Sequence, residues 1–476
     1  MPAGRLQALR RAPSLLLVLA TLLATLFAAP RAHAATDALE VSVSSTAAFV
    51  APGSDVALTV EIRNPTSIGT SSGSVTVALS DGVLADPASI EAWMSGAGTA
   101  GPTRARANAL PTAAGGSSTT GVTLPASLMS GEGVWGIQAT VTVGAAAYVA
   151  RTVVSIASTV VPADVSTIVA ITAPLPANGV LDSASLAELT GPEGALRKAL
   201  NAILGQTVTV AIDPRIIASI RLLGSQAPAS AVDWLTSLQN AKFDSFALQY
   251  GDADVALQAQ MGLEQLLTPG DFLDRDLSAS ELSQLMAWDF RRTAVWPAPN
   301  TLTSADIDVF AASGYSLVIT GSGNIADSRS ALTRVVRSGA LVTQDAPSAA
   351  LARAFSATSP TAWQSATAAL QAELAQFGGQ RIVLAPNRAP IADSGRANAT
   401  LALLANSPAS RMSSLETLTL SGETSIVDSP ESAERQAAGA HLLSQNAAVN
   451  AFAPVARYPE ALTEIAQRDL LTVLGT

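Results

Sequence analysis

Ser158-Thr159-Val160-Val161-Pro162-Ala163-Asp164, running on towards Thr167-Ile168-Val169-Ala170-Ile171, marks a change in the pattern of the chain. Before it, short alternating runs rich in Val and Thr are separated by Gly, Ser, Pro and Asp clusters. After it, apolar β-branched runs alternate with helical segments. The first pattern predicts several short strands with tight turns, and the second predicts βα units around a parallel sheet. The expected fold is therefore multidomain: an N-terminal immunoglobulin-like β-sandwich, then a (β/α) barrel-like domain with C-terminal helices. Expected boundaries are 1–34 for an export leader, 35–158 for the sandwich, 159–428 for the barrel-like domain and 429–476 for a C-terminal helical segment.

Working towards the N-terminus, strands are expected at Leu39–Val43, Val56–Ile62, Ser74–Leu79, Gly121–Leu124, Val134–Val143 and Tyr148–Ile156. Val56, Leu58, Val60 and Ile62 share one face at period two, while Thr59 and Glu61 face outward. Ser95–Thr120, dense in Gly, Ala, Thr and Ser, is expected to be a long loop. Towards the C-terminus, strands are expected at Thr167–Ile171, Thr207–Ile212, Ser245–Leu248, Thr293–Trp296, Ser316–Thr320, Ala340–Thr343 and Arg381–Leu384. Helices are expected at Ala195–Leu204, Ala231–Gln239, Ala253–Met261, Glu281–Trp288, Ser304–Ala312 and Thr361–Phe377. Such a set fits a barrel, complete or one strand short, or a doubly wound sheet, and the barrel is preferred.

The leader is read from basic Arg5, Arg10 and Arg11, the apolar run Leu15–Phe27 and the small-x-small site Ala32-His33-Ala34. Cleavage near Ala34 would place the mature chain outside the cytoplasm, and the apolar run is too short to span a bilayer comfortably. Four arginines and no acid leave with it, so 23 basic residues face 37 acidic ones and the mature net charge is −14. That balance argues against nucleic acid and anionic membrane as partners. Absence of cysteine excludes disulfides, thiolate catalysis and Cys-ligated metals. His441 is the one histidine left after cleavage, so chemistry needing two imidazoles is excluded, and neither metal nor cofactor is expected. No second hydrophobic span is read up to Thr476, so no transmembrane helix is expected in the mature chain.

In parallel α/β folds, ligands meet the carboxyl ends of the strands. The densest polar cluster at such an end is Gln249-Tyr250-Gly251-Asp252-Ala253-Asp254. Asp213, Trp296-Pro297, Asn324, Asp345 and Asn387-Arg388 follow other strands. Tyr250, Asp252, Asp254 and Trp296 are the candidate ligand-binding residues, and Asp213, Asp252 and Asp254 are candidate catalytic carboxylates. Carboxylates beside aromatic faces suit a glycan. Each has a structural reading too: Asp213 before Pro214, and Asp252 before a helical run, can be helix N-caps.

Three motifs were weighed against their context. Gly69-Thr70-Ser71-Ser72-Gly73 fits G-x-S-x-G but lies between two sandwich strands, which speaks against a serine hydrolase. Gly321-Ser322-Gly323-Asn324-Ile325-Ala326 fits G-x-G-x-x-A with Asp345 downstream and would mark a nucleotide site if Ser330–Val336 were a helix. Asn398-Ala399-Thr400 satisfies the glycosylation pattern.

The order leader, sandwich, Val208-Thr209-Val210-Ala211-Ile212-Asp213-Pro214, Trp234-Leu235, Tyr250-Gly251-Asp252-Ala253-Asp254-Val255-Ala256-Leu257 and Ile382-Val383-Leu384-Ala385-Pro386 resembles a family of exported actinobacterial proteins without an assigned activity. Genes of its members often lie beside that of the lipid II flippase, which implies a cell-envelope setting. The second half also resembles, distantly, the barrels of glycoside hydrolases and polysaccharide deacetylases. The deacetylase resemblance would place paired aspartates where Ala173-Pro174-Leu175 stands, so metal-dependent deacetylation is not expected. The expected function is that of an exported envelope protein whose non-catalytic or degenerate barrel binds cell-wall glycan or an envelope protein. The alternative is a metal-independent glycosidase using paired Asp carboxylates.

Overall fold

The computed structural model describes residues 39–173, 180–268, 279–290, 293–327, 331–335, 338–386, 388–455, 470 and 474–475. The expected leader, Pro174, Leu175 and Asn387 lie outside the described residues. The N-terminal part holds β1 (Glu40–Ser45), β2 (Phe49–Val50), β3 (Val56–Arg63), β4 (Gly73–Leu84), β5 (Ala100–Ala109), β6 (Ser117–Leu124), β7 (Gly133–Val143) and β8 (Ala146–Ile156). They form two sheets, β1-β3-β6 and β2-β8-β7-β4-β5, that share one apolar core. In β3, Val56, Leu58, Val60 and Ile62 are all buried, as the period-two pattern requires. Each such side chain contributes roughly 1.5–3 kcal/mol on leaving water.

The expected loop over Ser95–Thr120 is overturned, since β5 and the first residues of β6 occupy it. Strand β5 lies at the sheet edge against β4, and only Ala109 of its ten residues is buried. In its second half Ala105, Ala107 and Ala109 turn towards the sandwich core while Arg104, Arg106 and Asn108 face outward, an alternation that small alanines make faint in sequence.

The following part adds β9 (Ala163–Ile171), β10 (Thr209–Ile212), β11 (Asp244–Ala247), β12 (Ala294–Val295), β13 (Leu317–Gly321), β14 (Leu332–Val335), β15 (Ser338–Thr343), β16 (Arg381–Leu384), β17 (Ser410–Met412) and β18 (Glu423–Thr424). All seven expected strands are present. Their order, β11-β10-β9-β16-β15-β13-β12, is chain order taken cyclically from β12 round to β11, and every ladder along it is parallel. The end strands β11 and β12 share no ladder among the described residues. In β10 all four residues are buried, with Val210 and Ile212 in a helix-side core and Ala211 in a core on the other face. That second core takes one residue from each of the seven strands: Ile168, Ala211, Phe246, Ala294, Ile319, Leu341 and Val383.

Helices lie close to where they are expected at Ala195–Ile203, Ala229–Ala241, Val255–Gln260, Ala279–Met286, Asp306–Ala312 and Pro360–Ala375. Ser183–Thr190, Asp345–Ser356 and Ser394–Asn406 are further helices with no counterpart in the sequence reading. They are rich in Ala and Ser, so their apolar faces contrast weakly with their polar ones. The expected helix over Ser330–Val336 is overturned, because β14 occupies Leu332–Val335 and pairs antiparallel with β15. Asn398 does not offer a free amide, since its Nδ2 donates to the Ala202 and Leu204 carbonyls at 3.0 Å each, at the C-terminal end of the helix Ala195–Ile203. No helix among the described residues is long and apolar enough to cross a membrane.

The sandwich packs on the helices that follow β15. Ile90 and Trp93 of the helix Pro87–Met94 share a core with Val134, Val153, Ala369 and Ala372. Trp93 Nε1 donates to the Thr152 carbonyl at 3.0 Å, and the Arg151 guanidinium lies 4.5 Å over the ring. Arg353 donates to both Glu91 oxygens at 2.7 and 2.6 Å. Glu373 is fully buried 3.9 Å from Arg353, and burial holds its carboxyl well above the usual range.

Candidate functional site

The carboxyl end of each parallel strand contributes to one rim. After β10, Asp213 caps the helix Pro214–Leu223: its Oδ1 accepts from Arg215 N at 2.9 Å and from Gly251 N at 3.0 Å. Its Oδ2 lies 3.1 Å from Arg215 Nη2, which also donates to the Ala173 carbonyl at 2.9 Å. Both side chains are without exposure. Burial pushes the Asp213 carboxyl up, and Arg215 opposes the shift. This pair ties three strand ends together and is turned away from solvent.

After β11, the chain makes a turn through Tyr250, Gly251 (φ 71°) and Asp252 (φ 53°). A left-handed backbone is free for glycine, and aspartate is among the few other residues that adopt it at low cost. The Asp252 carboxylate accepts from Arg388 Nη2 at 2.6 Å and from Arg388 Nε at 2.9 Å. Arg388 Nη2 also donates to the Trp296 carbonyl at 3.1 Å, and its guanidinium lies 4.7 Å over the Trp296 ring. Arg388 Nη1 has no hydrogen-bond partner among the described residues. Asp252 and Arg388 line a cavity of about 340 Å³ with Ala173, Gly251, Ile391 and Gly475.

The neighbouring candidates hold the turn in place. Tyr250 is buried among Ala218, Ala253, Leu257, Leu470 and Leu474, and burial pushes its phenol up. Asp254 caps Val255–Gln260, accepting from Ala256 N at 3.0 Å and Leu257 N at 3.2 Å. Burial pushes its carboxyl up to about 6 against the backbone donor Leu257, with Glu431 adding to the rise and Arg435 at 3.3 Å opposing it. Of Asp213, Asp252 and Asp254, Asp252 is the one that lines the cavity. Trp296 is 5% exposed, its ring lying between the inner core and Arg388.

Other sequence signals resolve simply. Gly69–Gly73 stands between β3 and β4, with no strand-to-helix elbow. Gly321–Ala326 leads into β14 rather than a helix, so the geometry a dinucleotide phosphate needs is not formed. His441 is exposed on the helix Ala433–Phe452, 2.8 Å from Gln445. No group of three His, Cys, Asp or Glu among the described residues is placed to hold a metal ion. Arg388, which sequence reading noted only as a residue following the last strand, turns out to organise the site. The signal available was a lone cation four residues beyond a strand end, and its meaning depended on Asp252 lying opposite.

Comparison with known proteins gives one match along nearly the whole length: the model of DUF6049, a family of unknown function, matches residues 6–469. No curated protein matches the sequence. Solved structures with some similarity include a CARDB domain from Pyrococcus furiosus, 19% identical over 25% of this chain and 88% of that one, with a TM-score of 0.18. A β-glucosidase from Listeria innocua in complex with gluconolactone is 15% identical over 25% of this chain and 16% of its own, with a TM-score of 0.19. Red sea bream transglutaminase is 12% identical over 27% of this chain and 18% of its own, with a TM-score of 0.20. Likenesses at these TM-scores bear on neither the fold nor the activity of this chain.

Proposed function

We propose that this chain, which belongs to the DUF6049 family of unknown function, is an exported cell-envelope protein that binds a neutral glycan at the carboxyl rim of its parallel sheet. In this reading residues 1–34 are removed on export, 35–158 form an immunoglobulin-like domain, 159–428 form a seven-stranded barrel split between β11 and β12, and 429–476 form a helical segment. The cyclic strand order and the inner core shared by all seven strands support the barrel.

The observation that carries the binding reading is the Asp252–Arg388 pair on Trp296 at the floor of the cavity. Carboxylate and guanidinium cancel in charge, so a charged ligand gains little there. Arg388 Nη1 has donors without a partner among the described residues, and a shift of the guanidinium would turn them to the hydroxyl groups of a sugar. A carboxylate already held by two charge-assisted hydrogen bonds is a positioned acceptor rather than a free acid. The glycosidase alternative needs two carboxylates facing one cleft, about 5–5.5 or 6.5–9.5 Å apart. Asp213 and Asp254 are engaged as helix caps and in ion pairs, which weighs for binding without catalysis.

The test is co-sedimentation of the purified protein with insoluble peptidoglycan and with arabinogalactan. Wild-type protein is expected to be retained by one of the polymers and Arg388→Ala to stay in the supernatant. Retention of Arg388→Ala at the wild-type level would remove the proposed site, and failure of wild type to bind either polymer would remove the glycan.

A further inference from the structure

A second cavity, of about 160 Å³, lies at the same rim, and Trp296 is one of its walls. It is bounded by the carboxyl ends of β12, β13, β15 and β16 and by the start of the helix Asp345–Ser356. Trp296 thus stands between this cavity and Arg388, which lines the first.

The lining is chemically selective. Thr320 is 4% exposed, and its buried hydroxyl has no hydrogen-bond partner among the described residues. An unsatisfied buried hydroxyl is costly, and a turn of the side chain towards the cavity would let a ligand hydroxyl satisfy it. Asp345 is exposed, and its Oδ2 accepts from Gly323 N at 2.8 Å, which fixes the carboxylate at the cavity edge. A Cβ at Gly321 would lie 2.4 Å from Asp345 Oδ1, so a larger residue at 321 would make the carboxylate shift. Ser348 Oγ accepts from Ala385 N at 3.0 Å and keeps its proton free to donate. The lining includes no Lys or Arg, so a phosphate or carboxylate finds no counter-charge. Hydroxyls and one fixed carboxylate beside the edge of Trp296 match a single uncharged sugar ring.

We infer that the two cavities are adjacent subsites for consecutive units of one neutral glycan chain, with Trp296 as the partition between them. This inference depends on the glycan reading of the Asp252–Arg388 cavity. That cavity holds one unit, and the Thr320–Asp345 cavity holds the next.

The test uses fragments of one, two and three sugar units, prepared by partial hydrolysis of arabinogalactan, with affinities measured by calorimetry on the full chain. Wild-type affinity is expected to rise at least about 10-fold from one unit to two. Thr320→Val, nearly isosteric and removing a hydroxyl that has no partner, is expected to erase that gain while leaving one-unit affinity unchanged and the melting temperature no lower than that of wild type. Asp345→Asn should act in the same direction. Equal affinity of wild type for one and two units overturns the inference, as does a two-unit affinity untouched by both variants. Either result leaves the first subsite standing, whereas absence of binding by every fragment overturns both readings.

Discussion

The carboxylates of this rim are sorted by what surrounds them. Asp213 sits without exposure against Arg215, so truncating it strands a buried guanidinium. Asp213→Ala is therefore expected to cost about 3–5 kcal/mol of stability, read as a shift of the urea midpoint, whereas a purely catalytic aspartate could be removed with little loss. Asp254 makes a different prediction. Its folded pKa of about 6 lies above the ordinary aspartate value of about 3.9, so the folded protein takes up the proton first. Its contribution to stability is full below about pH 4 and is lost as pH rises through about 6. The urea midpoint should fall across that window, and Asp254→Asn, which keeps a good cap, should flatten the fall. An unchanged slope in the variant would show that other buried carboxyls, Asp213 or Glu373, set the profile. Sequence reading places the Gln249–Asp254 cluster after a strand, as β11 does, because polar residues directly after an apolar run are conspicuous. It could not tell which of three carboxylates faces outward, because N-cap and ligand-binding aspartates occupy the same position relative to a strand and a helix.

At the scale of elements, legibility followed burial. Strands β3 and β10 are legible because each covers a core, on one face in β3 and on both in β10. Strand β5 is hard to read because the side chains it turns to the core are only alanines, and β14 reads as a helix because four residues carry too little period to decide. The contact of β7 with the helix Pro87–Met94 depends on one small residue: a Cβ at Gly136 would lie 2.4 Å from the Trp93 ring. Gly136→Ala must push the indole out of a packed interface, at an expected cost of about 1–3 kcal/mol. Urea titration followed by tryptophan fluorescence checks this, and a neutral result would mean that the interface has room to yield.

For the molecule as a whole, the helix Asp345–Ser356 connects two regions. Its first turns line the second cavity through Asp345 and Ser348, and near its other end Arg353 is held by Glu91 of the helix Pro87–Met94. The sandwich is thereby a brace for one wall of the proposed site, since the shared core of Trp93, Val153, Ala369 and Ala372 fixes the next helix as well. Exposed ion pairs contribute about 0–1 kcal/mol, so the half-buried Arg353–Glu91 pair orients this contact while the apolar core around Trp93 supplies most of its strength. Trp93→Ala should consequently cost about 3–5 kcal/mol and uncouple the two parts, converting a single unfolding transition into two when sheet content is followed by circular dichroism. The part containing β9–β16 should then lose affinity for two-unit fragments more than for one-unit fragments, because the wall at Asp345 is the one left unsupported. A variant that still unfolds in one step with wild-type two-unit affinity would show that the sandwich does not brace the rim.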